Sequence, residues 1–417
     1  MPKLALNRRT FLQQSAAASS ALALPYFVPS SAFGANEKII TGHVGVGGQG
    51  NSNLGGFGST IGAVCDVDAN RLAAAVKKTG AKPYGDYREL LERDDIDAVV
   101  VSTPDHWHAI VTIHACQSGK HVYCEKPLSL TIPEGRAMVE AARKHKRVVQ
   151  TGSQQRSGKE FWTAASCVRS GRIGKLHTVL VGINGANDPG KLPPDSDPPE
   201  YLNYEMWLGP APLRPYNEKR VHYNFRFWWD YSGGQMTNWG AHHIDIGHWG
   251  MGADETGPLE VYAEKVTFHP EHVHEVTEGC RVVMKYADGV TMIIGQGESD
   301  IPGGTTFIGE KGRIHVNRGK ISSDPEEIVK TPLADGDVKL YLSGNHKGNF
   351  VDCIRSGEKP VADVAIGHRS ASACHLANIA CRTGERFKWD PAAEQVVDND
   401  KAAALISRVH RKPWELP

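Results

Sequence analysis

The run Gly45-Val46-Gly47-Gly48-Gln49-Gly50 follows a short segment ending at Val44, and no other feature of the chain restricts its fold so tightly. A Gly-x-Gly-x-x-Gly run in this setting asks for a strand that enters a tight turn and leaves it as a helix. Gly45 permits the turn, Gly47 lets backbone approach a pyrophosphate, and Gly50 lets the helix pack on the strand. Phosphates would lie on backbone N–H groups at the helix start, beside Gly48 and Gln49. A second strand, Ile61 to Asp66, ends in a carboxylate that would accept hydrogen bonds from ribose hydroxyls and repel an extra phosphate. NAD is therefore the expected cofactor, and Arg71, close by in sequence, leaves NADP possible. Two features fit less well: Thr41, Gly42 and His43 make the first strand polar, and Gly55, Gly56 and Gly58 predict a short or irregular helix.

The alternation continues. Ala98 to Ser102 is a buried apolar run of the parallel-sheet kind, and His121–Cys124 and Val148–Thr151 continue the series. Helical patterns over Ile110–Ser118 and Pro133–Lys144 separate them. This order predicts a doubly wound parallel sheet, an α/β Rossmann domain over residues 37–155. The second half changes character. Leu259–Thr267, Arg281–Tyr286 and Val290–Gly295 alternate as antiparallel strands do, with Asp288-Gly289 as a hairpin turn. Phe307 to Ile314 reads as a further hairpin, and helices near Phe350 and over Ser370–Thr383 close the chain. An α+β domain with an open, mainly antiparallel sheet is expected over 156–417.

At the start of the chain, Asn7-Arg8-Arg9-Thr10-Phe11-Leu12 precedes an Ala/Ser/Leu stretch from Ser15 to Leu24 and small residues at Ala32, Gly34 and Ala35. That is the pattern of a twin-arginine signal over residues 1–34, which makes the Tat export machinery a partner and the periplasm the expected location. The chain's 417 residues suit two domains, and no apolar run is long enough to span a bilayer. Its 47 basic and 47 acidic residues become 44 and 47 once Lys3, Arg8 and Arg9 leave with the signal, a balance that points away from nucleic acid and anionic membranes. No two of the eight cysteines form a C-x-x-C pair, so they are expected as free thiols.

Two further segments narrow the chemistry. Thr103-Pro104-Asp105-His106-Trp107-His108-Ala109 follows the third strand, and Gly119-Lys120-His121-Val122-Tyr123-Cys124-Glu125-Lys126-Pro127 follows one helix later. From about Glu37 to its C-terminus the chain resembles the Gfo/Idh/MocA family, which includes glucose–fructose oxidoreductase and inositol dehydrogenase, and Glu-Lys-Pro is the most specific piece of that likeness. The resemblance implies a nucleotide wall that includes Thr103, Pro104, His106, Trp107, Glu125 and Lys126, with Lys126 beside the nicotinamide and the reacting hydroxyl. A cation there stabilises negative charge on oxygen as hydride leaves carbon. In the family a Gly-Gly pair opens a helix carrying an Asp and, four residues on, a His that moves the proton. Gly233-Gly234 opens the matching segment and His242 matches the His, but Asn238 stands where the Asp is usual. On one continuous helix Asn238, His242 and Asp245 would share a face.

His242, Lys126 and Asn238 are accordingly the expected catalytic group, and Gln155, Arg156, Trp239, His243 and Asp245 the expected substrate contacts; no metal is expected. Five of the nine tryptophans lie between Trp207 and Trp249, which favours a carbohydrate, whose C–H faces stack on such rings. The expected activity is NAD(P)-dependent oxidation of a CH–OH group in a sugar, polyol or glycoside with the nucleotide held tightly. A redox-neutral, NAD-dependent glycosidase and a non-catalytic periplasmic sugar-binding protein are the alternatives. The resemblance also implies a homo-oligomer, dimer or tetramer.

Overall fold

The structure, a computed structural model, describes residues 38–186, 190–271 and 273–416; the expected export signal lies outside them. Six parallel strands form the first sheet: β1 (Ile40–Val44), β2 (Thr60–Cys65), β3 (Lys82–Tyr84), β4 (Ala98–Val101), β5 (His121–Cys124) and β6 (Val149–Thr151). Their order is β3-β2-β1-β4-β5-β6. The order reverses between β1 and β4, and a crevice opens there at the carboxyl ends of the strands, where ligands bind in such sheets. All four residues of β4 are buried, as a central parallel strand requires. The polar residues of β1 are reconciled locally. Thr41 Oγ1 lies 3.1 Å from His43 Nε2 and 3.2 Å from Ser59 Oγ, and a side chain at Gly42 would strike Leu90.

The second sheet is mixed and mostly antiparallel. Its strands are β7 (Leu176–Ile183), β8 (Glu260–Phe268), β9 (Thr277–Lys285), β10 (Thr291–Gln296), β11 (Gly304–Gly309), β12 (Gly312–Asn317), β13 (Lys320–Asp324), β14 (Phe387–Asp390) and β15 (Gln395–Val396). The order is β13-β12-β11-β7-β10-β9-β8-β14-β15, with β7 and β10 parallel. The turn at Asp288-Gly289 joins β9 to β10, with Gly289 at φ +85° and Asp288 accepting from Val290 N. Helices Lys159–Arg169, Gly240–Met251 and Val364–Thr383 contribute to one core with Phe161, Ile244, Met292, Phe307 and Leu376. Tyr262, Val283, Ile293 and Leu180, outside that core, line up strand to strand. The long helix and the segment leading into it also reach the first sheet: Thr151 N donates to Ala362 O, just before the helix, and Gly367 within it leaves no room for a side chain against Thr151.

One expected element is different. The helix predicted to run through Asn238, His242 and Asp245 is broken at Trp239 into Gly234–Asn238 and Gly240–Met251. Asn238 and His242 still face one cavity, and Asp245 does not.

Candidate active site

Backbone builds the nucleotide end. Gly45 sits at φ +79°, and a Cβ there would lie 2.8 Å from the Ser102 and Thr103 backbone. A Cβ on Gly50 would fall 1.9 Å from the Gly45 carbonyl oxygen, and one on Gly47 would enter the Arg71 guanidinium. The helix that follows, Gly48–Asn53, is only six residues long, as its glycine-rich continuation predicts. Asp66 is fixed by backbone: its Oδ2 accepts from Val46 N at 2.8 Å and its Oδ1 from Asp68 N at 3.0 Å. A turn that only glycine can form, closed by an oriented carboxylate, is a fitting cradle for the pyrophosphate and ribose of NAD.

From this turn a cavity of about 920 Å³ runs past Thr103, Pro104 and Trp107 to Glu125, Lys126, Gln155, Asn238, Trp239 and His242. It lies at the upper end of the roughly 300–1,000 Å³ usual for ligand sites. Glu125 is buried in its wall. Its Oε1 accepts from Asn53 Nδ2 (2.9 Å) and Gln49 Nε2 (3.3 Å), while its Oε2 lies 3.4 Å from Lys126 N.

At the far end, Lys126 Nζ donates to Asn238 Oδ1 at 2.8 Å, and Asn238 Nδ2 donates in turn to Gln235 Oε1 at 3.0 Å. Asn238 thus aims the ammonium, with a second N–H left for a substrate hydroxyl. Burial lowers the Lys126 pKa, against the opposing pull of Glu125 and Asp105. His242 is held well below its ordinary value by burial, then by the cations of Lys126 and Arg318. Its imidazole is therefore neutral at neutral pH, and its buried Nδ1 has no hydrogen-bond partner among the described residues. A neutral imidazole beside an aimed ammonium can accept the proton of a hydroxyl whose oxygen the ammonium stabilises.

Four expected contacts are placed elsewhere. Arg156 and Asp245 do not line the cavity; they form a buried ion pair at 2.8 Å, completed by Asp254 at 2.6 Å from Arg156 and by Ser370 on Asp245. A guanidinium removed from water must be matched by carboxylates, and here the matching consumes both residues. His243 stacks on Trp239 with ring planes 10° apart, and burial holds its pKa down to about 4. His106 turns into the protein, its Nε2 2.9 Å from Trp207 O, whereas Trp107 reaches the cavity while donating to the same carbonyl at 3.0 Å.

Other wall residues were missed in the sequence. Arg318 arrives on the turn between β12 and β13, with its guanidinium 4.6 Å above the Trp239 ring. The Gln155 amide, oriented by its neighbours, donates to His242 O (2.9 Å) and accepts from Arg318 Nε (3.3 Å). Asp105, Arg226 and His222 also line the cavity. Asn317-Arg318-Gly319 carries the turn chemistry of a hairpin, a signal that could have placed Arg318 at a sheet end, though not in this site. Among the described residues no group of three or more His, Cys, Asp and Glu side chains is arranged to hold a metal.

Residues 189–416 match the model of the Gfo/Idh/MocA oxidoreductase family's C-terminal alpha/beta domain, and residues 41–153 match that family's NAD-binding Rossmann fold. The chain belongs to this family. Among curated proteins it is 35% identical over 145 residues to an inositol 2-dehydrogenase of Salmonella typhimurium, which covers 33% of this chain and 43% of that protein. It is 34% identical over 154 residues to an alpha-N-acetylgalactosaminidase of Shewanella oneidensis, covering 34% of each. The chain thus spans less than half the length of these curated relatives. A WlbA dehydrogenase from Bordetella pertussis, solved with NADH and UDP-GlcNAcA, shares the fold at a TM-score of 0.64 and 21% identity, over 85% of this chain and 99% of that one.

Proposed function

We propose that this chain is an NAD-dependent oxidoreductase that removes hydride from a CH–OH group of a sugar, polyol or glycoside while holding its nucleotide through the cycle. The observation that carries the reading is a single cavity with the Gly45–Gly50 turn and Asp66 at one end and Lys126, Asn238, Trp239 and His242 at the other. NAD, when bound, supplies the hydride acceptor. Lys126 stabilises charge growing on the substrate oxygen, Asn238 aims Lys126, and the neutral His242 imidazole takes the hydroxyl proton. Trp239 offers a ring on which a sugar's C–H face can stack. Lys126→Ala tests the assignment: turnover falls by about 10²–10³-fold while nucleotide stays bound. Unchanged turnover would remove Lys126 from the chemistry.

A second reading rests on the tethered Asn238 and on the relative named as an alpha-N-acetylgalactosaminidase. Hydride is taken, the ketone formed acidifies the neighbouring C–H so that the glycosidic bond breaks by elimination, water adds to the resulting enone, and the hydride is returned to the carbonyl. Aryl glycosides separate the two readings. Aglycone release without net nucleotide reduction favours the glycosidase, and reduction without release favours the dehydrogenase.

Export through the twin-arginine pathway to the periplasm is part of the same proposal, supported by the Arg8-Arg9 segment. Replacing both arginines by lysine should leave the protein in the cytoplasm, which fractionation checks. Assembly as a dimer or tetramer is supported by the row of Tyr262, Val283, Ile293 and Leu180. Sedimentation of the full chain reads the oligomeric state directly.

A further inference from the structure

The substrate end of the cavity holds a cation that the proposed reaction does not use. Arg318 lies on the tip of the β12–β13 hairpin, and three bonds clamp that tip. Asn317 Nδ2 donates to Gly303 O (2.8 Å), Arg318 N to Asn317 Oδ1 (2.7 Å), and Gly319 N to Glu160 Oε1 (3.0 Å). The guanidinium rests on the Trp239 ring, and Gln155 takes its Nε. Among the described residues no carboxylate pairs with it; the residue is exposed on its hairpin tip, and partial burial of the side chain lowers its pKa. The acids on the same wall are turned to other partners: Glu125 to Asn53 and Gln49, Asp105 to Ser232, and Glu160 to Gly319 N. Lys126, the neighbouring cation, faces an amide instead of a carboxylate.

An arginine resting over a ring, with no carboxylate partner among the described residues, can present a planar edge that matches a carboxylate with two parallel bonds. It reaches the site from the second sheet and meets Trp239 and His242 there, and so stands at the substrate end and not at the pyrophosphate turn. We infer that Arg318 receives a carboxylate of the substrate, which makes the preferred substrate an acidic sugar of the uronate class. The inference rests on the sugar oxidoreductase reading and narrows its substrate.

The full chain with its bound nucleotide tests this. Binding of D-glucuronate and D-galacturonate is compared with that of D-glucose, D-galactose and their 6-phosphates by tryptophan fluorescence, in the unaltered protein and in Arg318→Gln and Arg318→Lys. Thermal melts confirm that the variants are folded. A charge-assisted bond predicts that a uronate binds on the order of 10- to 100-fold more tightly than its neutral sugar. The preference should fall to about one in Arg318→Gln and survive in part in Arg318→Lys. Equal binding of acid and neutral sugars in both configurations, a preference untouched by Arg318→Gln, or tighter binding of the 6-phosphates would each overturn the assignment. Nucleotide reduction and aglycone release are read in parallel. Neutral sugars that reduce the nucleotide with no uronate preference sink the acidic substrate and leave the oxidoreductase. Uronate binding lost in Arg318→Gln, with neither reduction nor release by any sugar, sinks the reaction and leaves the anion site.

Discussion

The two ends of the cavity are built by different means. At the nucleotide end, contiguous backbone does the work: four glycines within six residues, and one carboxylate at the end of the next strand. At the substrate end, side chains from distant segments meet. Lys126 follows β5, Asn238 and His242 flank a helix break, and Arg318 rides a hairpin of the other sheet. A site made of backbone tolerates no added atom, whereas a site made of side chains tolerates changes of shape and responds to changes of charge.

That difference can be pressed experimentally. The largest effect expected after Lys126→Ala is at the turn. Gly50→Ala puts a methyl group against the Gly45 carbonyl, and Gly45→Ala adds strain at a positive φ. Either variant should lose its co-purifying nucleotide, seen in the absorbance of the protein as isolated. At the other end His242→Asn removes the proton acceptor and should lower turnover by about 10²-fold or more with nucleotide still bound. If turn variants kept their nucleotide while His242→Asn lost it, the division of labour would be reversed.

A smaller effect is expected in the pH profile. The working form of His242 is the neutral one, and burial, Lys126 and Arg318 all lower its pKa. Activity should therefore persist below the ordinary histidine range, with the acid limb of kcat/KM displaced downward. Arg318→Gln removes one lowering influence, so the limb should climb, by up to about one pH unit. A limb that stayed in place would show that His242 is not the titrating group. The smallest effect is expected of Asn238→Asp, which keeps the contact with Lys126 and adds a charge. The carboxylate should raise the Lys126 pKa and alter turnover by less than about tenfold, whereas Asn238→Ala should cost more, because the ammonium is then unaimed.

How much of this was legible follows the same division. The Gly45–Gly50 run, Asp66 and the alternation of strands and helices placed the first sheet, because each signal is local and set by the backbone. The hairpin at Asp288-Gly289 was equally plain. Arg156 and Asp245 were misread because residue type and spacing cannot say whether a charge faces a cavity or another charge. Here they neutralise one another inside the protein. The extrapolation from Asn238 to Asp245 assumed an unbroken helix, whereas the chain turns at Trp239 and Asp245 pairs with Arg156 outside the cavity. Arg318 lies far along the chain from His242, on an Asn-x-Gly turn that marks a hairpin and not a site, so only the folded register brings it there.

Glu125 bears on both ends at once. Its one carboxylate binds the amides of Gln49 and Asn53, which continue the glycine turn, and its own peptide leads directly to Lys126. Gly152 stays bare because the same carboxylate fills the space a side chain there would need. The cradle and the reacting ammonium therefore share a keystone, and neither can be reshaped alone: a lineage altering its grip on nucleotide through this position would disturb its chemistry in the same step.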